Sequence, residues 1–262
     1  MSNNFFDSNG RCVTNLTKHQ VYQKSRNYFQ LDKKKVLSYT NNKIFNNLKN
    51  YLCKNLDFNE AEFEKKIINI KDKIKKDDKI SNILKGFSIP FIIPKLENKD
   101  IGTNIEEVFI PALQSSFKNE FEQFELINHI KNSLKNQLDT WNDSKYEKIT
   151  EKLKKQNITG LLFPSLNEFS FPAAIETVSK LPENIMLAGG YEIISALIGS
   201  PSILRSDDGY PPLLWFSSLK NVNDSNIGYH IEPYGYNLTL NRRAHIDNAA
   251  EYWWHSVVII ED

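Results

Sequence analysis

Three groups of residues in this 262-residue chain have side chains suited to chemistry or recognition. The first is the stretch 186–210, MLAGGYEIISALIGSPSILRSDDGY. A strand that runs into Gly189 and Gly190 and then into a helix leaves backbone N–H groups directed at an anion, as a phosphate site requires. Arg205 follows, then the adjacent carboxylates Asp207 and Asp208, which suit a divalent metal. The second group is His230, His245, Asp247 and His255, residue types that ligate zinc or iron, although their spacing follows no established ligand signature. The third is Tyr234, Tyr236, Tyr252, Trp253 and Trp254 with Arg242 and Arg243 between them, the residue types that dominate protein–protein hot spots.

The order strand, glycine pair, helix, carboxylates resembles part of the nucleotidyltransferase superfamily. In that family the glycine pair holds a triphosphate, and carboxylates on the next strand hold two metal ions. The resemblance implies that Gly189 and Gly190 meet a nucleotide and that Asp207 or Asp208 binds the metal. The family pattern sets its carboxylates two residues apart, on one face of a strand. Here they are adjacent and point to opposite faces, and Asp-Asp-Gly before Tyr-Pro-Pro also makes a good turn. No Gly-x-Ser-x-Gly elbow, Walker loop, dinucleotide fingerprint or His-Glu-x-x-His is present.

The elements that must position these groups divide into a helical front and a strand-rich back. A short strand is expected near Arg11–Asn15 and a helix from about Thr17. Ile44, Phe45, Leu48, Tyr51 and Leu52 fall at helical spacing. Asn59 suits the cap of a further helix, on which Phe63, Ile67, Ile70 and Ile74 form a stripe. Two prolines in 87–94 (FSIPFIIP) restrict that segment to an edge strand or a linker, and it is the candidate boundary. From Leu113 to Trp141 apolar residues recur every three or four positions, which predicts one long helix over 105–141, with Pro111 in its first turn or at a kink. A helix through Leu153, a buried strand over 158–164, a helix over 172–181, a strand over 185–188 and a helix over 192–198 follow. The last 60 residues read as strands over 213–216, 227–231, 236–240 and 256–260, with Glu232–Gly235 as a hairpin turn and a short helix over 245–254. The expectation is an α+β fold: a basic helical region over 1–94, a long-helix region over 95–155, and a small mixed α/β region over 156–262, the three forming one continuous domain or separate units.

Net charge is +1, but its distribution is uneven. Residues 1–100 hold 20 Lys and Arg against 11 Asp and Glu, a balance of +9; the remainder holds 13 against 21, a balance of −8. The basic half suits an anionic partner, nucleic acid included, although it has only Arg11 and Arg26 and nucleic-acid grooves favour arginine. Cys12 and Cys53 lack disulfide-framework and metal-ligand spacing. With neither a signal-like start nor an apolar run long enough to span a bilayer, the expectation is a cytoplasmic protein. The leading functional expectation is a non-catalytic binding or assembly module. It would need no cofactor and would meet a protein partner or a second copy of itself through the aromatic carboxy-terminal surface. The alternative is a metal-dependent nucleotide-handling enzyme centred on Gly189-Gly190 and Asp207-Asp208.

Overall fold

The computed structural model describes residues 4–24, 27–97, 100–206 and 209–261. Its helices are α1 (Lys33–Ser38), α2 (Asn41–Tyr51), α3 (Glu60–Lys75), α4 (Ile101–Asn104), α5 (Ile110–Glu120), α6 (Glu147–Leu153), α7 (Phe171–Lys180) and α8 (Gly190–Gly199). Its strands are β1 (Ile89–Ile93), β2 (Leu126–Asn128), β3 (Leu138–Thr140), β4 (Ile158–Asn167), β5 (Met186–Leu187), β6 (Leu213–Trp215), β7 (Leu219–Asn221), β8 (Gly228–Tyr234), β9 (Asn237–Arg243) and β10 (Trp253–Ile260).

Eight strands form one mixed sheet in the order β1-β4-β10-β6-β8-β9-β2, with β5 added against β10. The pairs β10–β6 and β2–β9 are parallel and the others antiparallel. The sheet is therefore not the small carboxy-terminal unit expected from sequence. It draws strands from residue 89 to residue 260, and one cluster of buried side chains runs from Phe6 to Ile259. Strands β3 and β7 pair separately. All ten residues of α8 are buried; it packs against β1 and is flanked by α2 and α5.

Local signals hold where helix and cap agree. Asn59 Oδ1 accepts from the Glu62 N–H while the Glu62 carboxylate accepts from the Asn59 N–H, a complete capping box. The α3 stripe Phe63, Ile67, Ile70 and Ile74 is buried as its spacing requires. The proline-containing 87–94 segment is an edge strand, because β1 pairs only with β4 and its outer side needs no donor from Pro90. The hairpin expected at Glu232–Gly235 is present but displaced along the chain: Glu232, Pro233 and Tyr234 still pair in β8, and Gly235 (φ +60) with Tyr236 makes the two-residue turn.

Four expectations fail for tertiary reasons. The helix predicted over 105–141 ends at Glu120. Its first half contains a π-helical turn over Ile105–Phe109, closed by the Ile110 N–H on the Ile105 carbonyl, just ahead of Pro111, whose ring cannot supply the next α-helical donor. Beyond it, Leu126 leaves the helix to pair with Leu238 in β2, and Glu106 accepts from the Leu134 N–H and the Ser133 hydroxyl. Long-range pairing thus overrides a helical spacing that no cap supports. The helix expected over 245–254 is instead a turn at His245 (φ +64) leading into β10. Near the amino terminus the expected strand is reduced to a single bridge, Phe6 with Cys12, and the first α-helix starts after the Asp32 cap, not at Thr17.

Gly160 lies mid-strand in β4, opposite Phe91 of β1, and a Cβ there would come within 2.4 Å of the Phe91 ring and 3.0 Å of the Ile259 carbonyl oxygen. The aromatic ring fills the space that the glycine leaves. Gly160→Ala is expected to destabilise the fold by about 1–3 kcal/mol, the usual cost of overpacking a core, read as a lower urea midpoint at unchanged slope.

Candidate functional site

The feature with the clearest ligand-binding geometry is a cavity of about 550 Å³ beside edge strand β1. Four cationic side chains line it, Arg11, Lys33, Lys71 and Lys85, and no carboxylate does among the described residues. All four come from the basic front of the chain, and each is placed by a different local device. Asp7 Oδ1 accepts from the Asn9 and Arg11 N–H groups, and with Gly10 at φ +76 this tight turn presents Arg11. Lys33 opens α1 behind the Asp32 cap, Lys71 flanks the buried stripe of α3, and Lys85 ends a 3₁₀ turn over Ser81–Lys85. The Arg11 guanidinium donates to the neutral oxygens of Asn27 and Gln30. Burial, and then the neighbouring Lys75, holds the Lys71 ammonium below its ordinary value.

The floor is neutral and buried. Ser165 and Asn167 stand two apart on β4, on one face, and Trp254 of β10 lies directly across from Asn167. Ser200 ends α8. Each of these four residues is less than a tenth exposed, and Ser165 Oγ, Asn167 Oδ1, Ser200 Oγ and Trp254 Nε1 have no hydrogen-bond partner. These four atoms are closed to solvent behind the cavity wall, like others in the core such as Thr159 Oγ1 and Trp253 Nε1, so they reflect tight packing under the cavity and name no occupant. Tyr39, also in the lining, is already satisfied by Ser202 and Glu120, and burial pushes its hydroxyl up to about 12.

The residues singled out in the sequence are dispersed. Asp207 and Asp208 lie outside the described residues. Gly189 and Gly190 are buried at the start of α8, where the Gly189 N–H is met by a side chain of the same helix. The Glu192 carboxylate accepts from the Gly189 N–H at 2.8 Å and from the Tyr146 hydroxyl at 2.9 and 3.0 Å. A Cβ on Gly189 would sit 2.6 Å from Ser218 Oγ, so close packing accounts for the glycine. Arg205 is elsewhere, its guanidinium over the rings of Phe121, Phe124 and Tyr236 at 4.2, 4.9 and 5.3 Å.

The histidines do not converge on a metal, and no group of three or more His, Cys, Asp or Glu suited to one exists among the described residues. His230 and His255 both pack on Trp215, with ring centroids 4.6 and 6.3 Å away. His255 is held by Ser217 Oγ at 2.7 Å and the Phe169 carbonyl at 2.8 Å, and burial pushes it down to about 3. The carbonyl requires Nε2 to carry the proton, so Nδ1 accepts from Ser217 in a sealed structural pin. His230 Nε2 lies 3.2 Å from Glu232 without the alignment of a hydrogen bond, and burial holds the ring below its ordinary value. His245 is exposed and lines a separate, wider cavity of about 820 Å³ with His19 and Asp247.

The aromatic group splits. Trp253 and Trp254 are 6% and 2% exposed, a correction to their assignment to an outer surface: as the start of β10 they lie between β4 and β6. Tyr234 and Tyr236 are 74% and 59% exposed on the β8–β9 turn, and Arg242 is exposed on β9. Tyr252 is half-buried beneath Arg243, which donates to the Glu232 carboxylate at 3.1 Å. Sequence reasoning reached the basic half but missed the floor. The available signal was Ser165 and Asn167, two polar residues at alternate positions after the apolar run Leu161–Pro164 of the same strand.

Glu192 provides a test of the interior around the glycine pair. Burial raises its carboxyl from the ordinary 4.5 to about 7, against the lowering pull of the Gly189 N–H and the Tyr146 hydroxyl. The folded chain then holds this proton more tightly than the unfolded chain does, so stability falls as pH rises from about 4.5 to about 7. The loss is on the order of 3 kcal/mol. Urea midpoints compared between wild type and Glu192→Gln are expected to show this decline only in the wild type.

No family model, no curated protein and no solved structure matches this chain.

Proposed function

We propose that this chain binds a small, multiply anionic molecule in the cavity beside β1. The observation that carries the proposal is the four-cation lining without a carboxylate. Lys33, Lys71 and Lys85 have no ion-pair partner among the described residues, a state they share with other lysines such as Lys34 and Lys49, so it is their convergence on one cavity that distinguishes them. Gathering like charges around a concave, partly desolvated space is unfavourable unless an anion relieves it. The volume falls within the ~300–1,000 Å³ typical of small-molecule sites. It is too confined for a nucleic-acid duplex, which favours a compact ligand over the broader nucleic-acid expectation for the basic half.

A panel of phosphorylated small molecules, screened by thermal shift and then by calorimetry, tests the reading. The Lys71→Gln/Lys85→Gln double variant is expected to bind any hit at least tenfold more weakly, because a charge-assisted contact contributes about 1.5–3 kcal/mol. Wild-type affinity is expected to fall steeply between 50 and 200 mM salt, since the contacts are charge–charge. An affinity that the lysine substitutions leave unchanged would remove the proposal.

A second reading keeps the expected partner surface. Its support is the exposed tyrosines Tyr234 and Tyr236, with Tyr210 stacked on Tyr28 at 4.7 Å. Self-association is the simplest form of that reading. Light scattering across a concentration series is expected to show a higher-mass species that Tyr234→Ser/Tyr236→Ser shifts towards monomer; a monomer at every concentration excludes the self-associating form.

A further inference from the structure

We infer that the anion taken by the cavity beside β1 is the headgroup of an anionic phospholipid, met at a membrane surface with Leu37 entering the lipid. This inference rests on the anion-binding reading above and names the source of the anion.

The opening of the cavity is amphipathic. Of its cations, Lys33 and Lys85 are exposed and Arg11 and Lys71 half-buried. Four apolar side chains that solvent also reaches share the lining: Val36, Leu37, Leu84 and Phe87. Leu37 is 70% exposed, more than any other leucine, isoleucine or valine among the described residues. It both lines the space and lies open to water, so it stands at the rim. Helix α1 sets it there: Lys33 and Lys34 precede Leu37 by four and three residues, which puts all three on one side of the helix behind the Asp32 cap.

A dissolved anion would answer the cations and leave the leucine in water. A membrane answers both. An anionic leaflet attracts basic residues close to its surface, and an apolar side chain set among them enters the boundary between headgroups and acyl chains. The cavity is of small-molecule size, about 550 Å³, so it takes a headgroup and leaves the acyl chains in the bilayer.

Charge complementarity carries the choice of partner. Every cation at the opening comes from residues 1–100, whose balance is +9, whereas the rest of the chain balances at −8. No carboxylate lines the cavity among the described residues, so none there repels a lipid phosphate. With a net charge of only +1, the chain is not drawn to an anionic leaflet as a whole; the attraction depends on which face is turned towards it. One leucine and one basic site are each weak anchors, so the binding is peripheral, reversible and dependent on both.

Co-sedimentation of the full chain with vesicles of phosphatidylcholine alone, and of phosphatidylcholine with phosphatidic acid at about four to one, tests the inference. Phosphatidic acid displays a phosphomonoester, and glycerol 3-phosphate, titrated by calorimetry, is its soluble equivalent. The chain is expected to sediment at least tenfold better with the anionic vesicles. Leu37→Ser is expected to weaken that binding about tenfold, the scale of removing one leucine from an apolar phase, while leaving glycerol 3-phosphate affinity unchanged. Leu37 is exposed, so the variant keeps its fold, which an unchanged thermal midpoint checks. Lys71→Gln/Lys85→Gln is expected to weaken vesicle binding as well. Anionic vesicles that fail to sediment the chain, or that bind Leu37→Ser as well as wild type, overturn the inference. If a dissolved phosphorylated molecule still binds in that case and the lysine pair still matters to it, the anion-binding reading survives. Binding of vesicles and dissolved phosphates alike that ignores the lysine pair overturns both.

Discussion

Strand β10 is hydrogen-bonded on both sides, and the rest of the molecule is arranged around it. On one side it runs antiparallel to β4 through a register shift between His255 and Val257. On the other side its length is divided, with Trp253 and Trp254 pairing with β6 and Val257 and Val258 pairing with β5. Ser256 at the division accepts from the Ala188 N–H, and Ala188 in turn accepts from Ser218, so backbone bonds close the gap between the two partners. A strand buried on both faces and paired on both edges leaves its side chains little freedom. Trp254 and His255 are fixed because β10 cannot slide without turning its apolar side chains to the wrong face.

That constraint explains which parts of the fold were legible in the sequence. Helices α2, α3 and α7 could be read locally, because cap, stripe and terminus agree within each segment, as Asn59 and the isoleucines of α3 illustrate. Strands β8 and β9 were legible because a two-residue turn with glycine joins them. The stretch from Phe121 to Trp141 was not. Its apolar residues keep helical spacing, but their partners are Leu238 on β9, Asn221 on β7 and the carboxylate of Glu106, none of them near in sequence. Spacing reports what a segment can do alone; an open sheet edge decided what it does here. The same holds for Trp253 and Trp254, whose neighbours in a stretch of tyrosines and arginines suggested a surface, while β4 and β6 supplied an interior.

The candidate site was half legible for the same reason. Its cations belong to a charge asymmetry visible in composition alone. Its floor depends on register: Asn167 meets Trp254 only because β4 and β10 pair as they do, and orphaned donors and acceptors leave no trace in a single sequence. The glycine pair gave the opposite result. Its phosphate-like pattern arises because Tyr146 and Ser218 press on the start of α8 and the Glu192 carboxylate takes the Gly189 N–H. A strand–glycine–helix pattern therefore distinguishes poorly between a helix end built for a ligand and one already filled by its own third residue.

The cavity beside β1 joins parts of the chain that are remote in sequence, with every cation before residue 90 and every floor residue after residue 164. Contact between Gly10 and Gly86 backbones, where a Cβ would come within 2.3 Å, and the Cys12 N–H bond to the Ser165 carbonyl hold the amino-terminal turn against the sheet. Further backbone bonds join the first thirty residues to the rest, among them Phe5 N–H to Lys79, Tyr22 N–H to Glu168, Ser170 N–H to Gln20 and Gln30 N–H to Tyr210, and Phe6 and Cys12 are buried in the core. Arg11 is thus held at the cavity by the chain's own bonds, so a ligand bound there would add to a docking that the fold already makes for itself.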